Sequence, residues 1–183
     1  AGPGVDLTVA DAGTIGQAGG LPADLVANYI LSDSAANILA LATGYQLIAD
    51  AKEVVVNDNA TLTKTDLAAL GDRGVEFLSS DFSLTGTSDD LVDLGLVMSL
   101  AHNITVTGDV NAAQAKTLLD QMNSGTTTLD NIVVNASEAQ QLQFDVNDVV
   151  GTVTVTGSHV ANTIDLSQIP LGTQVVFTWR AGD

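Results

Sequence analysis

The chain has 183 residues, of which 45% are hydrophobic and only 4% aromatic, so its core must be built from Ala, Val, Leu and Ile. Five Lys and Arg against 22 Asp and Glu give a formal charge of −17, a field that repels nucleic acid and anionic membranes and attracts hard cations such as Ca2+. The absence of cysteine excludes disulfides and thiolate metal sites, and no apolar run approaches the roughly 20 residues that span a bilayer.

The N-terminal AGPGVDLTVADAG lacks the basic and apolar regions of a secretory signal and reads as the start of a fragment. From there, eight short β-prone openings recur. They are LTVADA at Leu7, YILSDS at Tyr29, VVVNDN at Val54, VEFLSSD at Val75, ITVTGD at Ile104, IVVNAS at Ile132, VTVTGS at Val153 and VVFTWR at Val175. Their starts lie 21 to 29 residues apart, the spacing of stacked repeat units.

Each opening ends in Asp, Asn, Ser or Gly, residues that stop a strand and cap a following helix. Asp33 or Ser34 caps a first helix with Ile38, Leu41, Ala42 and Tyr45 at helical spacing. Thr65 or Asp66 caps a second, with Leu67 and Leu70 inward and Gly71 or Gly74 as its stop. Ser88 or Asp89 caps a third, with Leu91, Leu94, Val97 and Met98 on one face. Asn111 caps a fourth, with Ala115, Leu118, Leu119 and Met122 inward and Gly125 as the stop. Thr61 to Thr63 and Ser83 to Thr85 hint at extra short strands, as do Leu142 to Phe144 and Thr163 to Leu166.

This pattern predicts an α/β solenoid: stacked strand-turn-helix coils with a parallel sheet, drifting to β-helix-like coils at the C-terminus. The whole chain, 1–183, reads as one such domain. Residues 1–28 form an N-terminal cap or first coil, 29–131 the strand-helix coils, and 132–183 more β-rich coils with a C-terminal cap. Trp179 and Arg180 fit the end of that cap or a packing edge. The competing architecture is an ordinary doubly wound α/β domain with longer strands.

Stretches 29–122 carry a resemblance. Ser32, Asp33, Ala35, Ala36, Asn37 and Ile38, then Ala101, His102, Ile104, Val106, Thr107 and Gly108, resemble tandem units of large bacterial secreted surface proteins of the hemolysin-type calcium-binding kind. The resemblance implies an adhesin, surface-layer or biofilm scaffold, exported by type I secretion to the cell surface or matrix. Neighbouring repeats, copies of itself or surface polysaccharide would be its partners. The calcium nonapeptide of that family, with its paired glycines and Asp, is absent from this chain.

In aligned coils Asp33, Asp58, Asp81 and Asp109 would form a carboxylate row, and Ca2+ would relieve its repulsion. Asp33, Asp58, Asp109 and Asn111 are the candidate ligands; capping of the next helix is the competing role. His102 and His159 have no nucleophile elbow or zinc-binding spacing around them. The close acid pairs Asp89/Asp90 and Asp145/Asp148 suit glycosidase-like chemistry, but so few Lys and Arg do not suit a lyase on an acidic polymer. The expectation is therefore a non-catalytic structural or adhesive segment. A carbohydrate-binding or polysaccharide-degrading module is the alternative.

Overall fold

A computed structural model describes residues 5–17, 28–42, 45–75, 77, 82–121, 123–157 and 169–179. The chain separates into two compact units, residues 1–82 and 83–183.

The first unit begins with β1 (Val5–Leu7), α1 (Val9–Gln17), β2 (Tyr29–Asp33) and α2 (Ala35–Leu39). It continues with α3 (Gln46–Ala49), β3 (Glu53–Val56), β4 (Thr61–Leu62) and α4 (Lys64–Gly71). Strands β1, β2 and β3 pair in parallel, with Leu7 opposite Leu31 and Leu31 opposite Val54. Alternation along each strand turns Tyr29, Leu31, Val54 and Val56 inward, where Ala35 and Ile38 of α2 meet the same core. Burial, and secondarily the Asp50 carboxylate, pushes the Tyr29 hydroxyl up to about 12.

The second unit contains β5 (Ser83–Thr87), α5 (Ser88–Val92), a 3-10 helix (Gly95–Leu100), β6 (Ile104–Asn111) and α6 (Ala112–Leu119). It then adds β7 (Thr127–Asn135), α7 (Ala136–Ala139), β8 (Asp148–Gly157) and β9 (Gln174–Trp179). Strands β5 to β9 pair in chain order and in parallel. The register builds aliphatic rows: Val106, Leu129 and Val150 form one, and Val110, Ile132, Val153 and Val175 another. A bulge sets two residues of β6, Thr107 and Gly108, against Asp130 alone, and Gly108 takes φ 80° to make it.

This topology corrects the expected α/β solenoid of equivalent stacked coils. The protein is an α/β fold with two open parallel sheets, of three and six strands, and seven short helices among the described residues. At VEFLSSD, Val75 makes an isolated parallel bridge to Val54, and residues 76 and 78–81 lie outside the described residues. The layers are also unequal. Strands β1 and β2 pair through three residues, whereas the paired positions of β7 and β8 run from Thr127 to Asn135 and from Asp148 to Thr156.

The C-terminal drift to β-helix-like coils is corrected as well. Helix α7 persists there, and Leu142 to Phe144 form no strand; Thr163 to Leu166 lie outside the described residues. Trp179 ends β9 opposite Gly157, and Arg180 lies outside the described residues. Among the described residues no helix is long and apolar enough to cross a membrane.

Candidate functional site

Strand ends and helix starts meet at the carboxyl end of each sheet, where the sequence placed its candidate ligands. Five helix caps share one pattern, in which a Ser, Thr or Asn in extended conformation accepts a backbone N–H from the first turn, whereas Tyr45 before α3 makes no such bond. Ser34 accepts from Asn37, Thr63 from Asp66, Thr87 from Asp90, Asn111 from Gln114 and Asn135 from Glu138. At Thr63, Asn111 and Asn135 the third helical residue bonds back to complete a capping box.

Asp33 and Asp58 act one layer back. The Asp33 carboxylate accepts from Val9 N at 2.9 Å, the first residue of α1, and Asp58 accepts from Ala35 N at 3.2 Å, the first residue of α2. Asp33 also accepts from Ser34 N at 2.7 Å and Asn37 Nδ2 at 2.8 Å. Burial alone would raise its pKa, but the hydrogen bonds from Asn37, Ser34 and Val9 outweigh it and hold the carboxyl below its ordinary value.

In the second unit Asn131 Nδ2 donates to Asp109 Oδ1 at 2.7 Å, and Thr154 Oγ1 donates to Asn131 Oδ1 at 3.0 Å, a ladder across three strands. Asp89 accepts from Gln114, and Asp90 from the Thr87 hydroxyl at 2.9 Å.

A Ca2+ ion takes six to eight oxygens. The four candidates do not meet in one cage. Asp33 and Asp58 lie in the first unit and are bonded to backbone N–H groups, while Asn111 is occupied as a cap and Asp109 by the ladder. Among the described residues no three His, Cys, Asp or Glu converge on a point that would hold a metal. Asp81 and His159 lie outside the described residues, and His102 Nδ1 sits 3.0 Å from the Ser124 hydroxyl.

The opposite end of the second sheet carries what the spacing of residues did not show. The α6–β7 link and the α7–β8 link enclose a half-open cleft of about 490 Å3. Leu119, Asp120, Gln121, Asn123 and Gly125 come from the first link. Gln143, Phe144, Asp145, Asn147 and Asp148 come from the second. Gly125 is required there, because a Cβ would collide with the His102 carbonyl oxygen and the Asn103 side chain.

The acid pair Asp145/Asp148 closes a tight turn. Asp148 Oδ2 accepts from Asp145 N at 2.6 Å, while Asp148 N donates to the Asp145 carbonyl at 3.1 Å. Asp148 also occupies a core position. The register row Leu84, Ile104, Thr127, Asp148 passes from aliphatic to polar, and Asp148 is only 9% exposed. Burial raises its pKa, opposed by the Asp145 N–H and reinforced by the Asp145 charge.

The sign of the linkage follows. A carboxyl whose folded pKa is raised stabilises the fold fully below its unfolded pKa, and that contribution is lost as pH rises through the folded pKa. Asp148→Asn should therefore melt higher than the parent chain at neutral pH, with the gap closing on acidification. Melting curves across pH check this; a parent chain that is the more stable at neutral pH would contradict it.

Comparison with family models, with curated proteins and with solved structures gives no match to this chain.

Proposed function

We propose that the chain is a non-catalytic structural and adhesive segment of a secreted bacterial surface protein, acting as an acidic spacer that contacts copies of itself or surface polysaccharide. One observation carries this reading: the carboxylates and amides at the strand ends are committed to backbone donors and cross-strand ladders, as in Asp33 to Val9, Asp58 to Ala35 and Asp109 to Asn131. Such groups hold layers together and present no nucleophile or acid–base pair at that end. The resemblance of residues 29–122 to tandem units of exported surface proteins supports the location.

Ca2+ enters this proposal as a counterion to the charge of −17, not as a caged ligand. Millimolar Ca2+ and Mg2+ should raise the melting temperature alike, and no glycan should be turned over. A rise specific to Ca2+ would reinstate a built site. Turnover of any glycan would overturn the non-catalytic reading.

A further inference from the structure

The cleft between the α6–β7 and α7–β8 links has features that a spacer does not need. Gln143 and Asn147 present exposed amides, Asp145 an exposed carboxylate, and Phe144 a half-exposed ring, all lining one concavity. Planar amides and carboxylates offer paired hydrogen-bonding atoms, which suit the adjacent hydroxyls of a sugar ring. An aromatic ring supplies the apolar surface on which a sugar's C–H face packs. The volume of about 490 Å3 falls within the usual range for small-ligand sites.

Charge narrows the class. Three carboxylates line the cleft: Asp120, paired with Lys116 Nζ at 2.7 Å, and Asp145 and Asp148, which have no cationic partner among the lining residues. An anionic sugar would be repelled. The burial of Asp148 in a row begun by Leu84 and Ile104 points the same way. A carboxyl at a core position costs stability, and departures of that kind concentrate where a protein binds something.

We infer that this cleft binds an uncharged saccharide, held by hydrogen bonds to Gln143, Asn147 and Asp145 and by packing on Phe144. The inference rests on the adhesive half of the function proposed above and gives it a place and a ligand class.

The test uses the whole 15N-labelled chain in EDTA. Neutral glucose-, galactose- and mannose-based oligosaccharides are titrated beside an oligogalacturonate. Amide shifts confined to residues 119–125 and 143–148, with a Kd of about 1 mM for at least one neutral sugar, are expected. Phe144→Ala and Gln143→Ala should each weaken binding about tenfold. Val146→Ala, whose side chain is 96% exposed and does not line the cleft, should leave it unchanged. Circular dichroism checks that each variant folds.

Neutral-sugar binding that the two cleft variants do not weaken would overturn the cleft assignment and leave adhesion standing. Absence of binding by every glycan would remove both the cleft assignment and contact with polysaccharide, leaving a spacer that contacts only copies of itself. Preference for oligogalacturonate would also overturn the assignment.

Discussion

Arg73→Ala should destabilise the first unit by about 2–4 kcal/mol, the scale of several charge-assisted hydrogen bonds lost from a partly buried site. Its guanidinium donates to the Leu41 carbonyl from Nε at 3.1 Å and from Nη2 at 2.7 Å, to the Leu39 carbonyl at 3.1 Å, and to the Ala69 carbonyl at 2.6 Å. Helix α2 ends at Leu39, so the cation sits where carbonyls have lost their helical partners and the helix dipole is negative. One of five basic residues in a chain of charge −17 is thus spent on backbone. Arg73→Lys should recover only part of the loss, since an ammonium cannot reproduce the fork. Denaturant unfolding, with amide exchange along α2 and α4, measures it. A change within about 0.5 kcal/mol for Arg73→Ala would refute the role.

Ile132→Ala should cost the second unit about 2–5 kcal/mol. Ile132 is fully buried between Val110 and Val153 in a row that Val175 extends, so truncation opens a void inside the stack. Val149→Ala on β8, where the parent side chain is half exposed, is the matched control and should change stability by less than about 0.5 kcal/mol. Equal effects from the two variants would mean that the inward row does not carry the packing.

How much of this was legible depends on whether the signal was local. Strand openings at Tyr29, Val54, Ile104, Ile132, Val153 and Val175 all fall within strands, because a short β-prone run followed by Asp, Asn, Ser or Gly needs only its own residues to declare itself. Ser34 and Asn111 were readable as caps for the same reason. The second of these helices is capped earlier than expected, by Thr63 before Lys64, with Asp66 returning the bond from inside the first turn. The third helix stops at Val92, and the chain turns through Gly95 at φ 54° into a 3-10 helix, a conformation that glycine permits but periodicity does not reveal.

What failed was non-local. A recurrent spacing of 21 to 29 residues suggests one stack, yet the strands divide between two sheets, with Val75 bridged singly to Val54. The bonds from Arg73 to Leu39 and Leu41 span more than thirty positions, and nothing near Arg73 announces them. The cleft draws on two links from separate parts of the chain. The pair Asp145/Asp148 was visible as an acid pair, but its partners Gln121 and Asn123 were not.

The chain-order pairing of β5 to β9 has a mechanical consequence. Neighbours in the sheet are neighbours along the chain, so among the described residues β9 pairs with β8 alone. Under tension such a sheet yields from its rim, each strand releasing its own link before the next is loaded. Pulled from β9, a sheet connected in this order should lengthen strand by strand, and single-molecule extension would record a series of small steps instead of one large one.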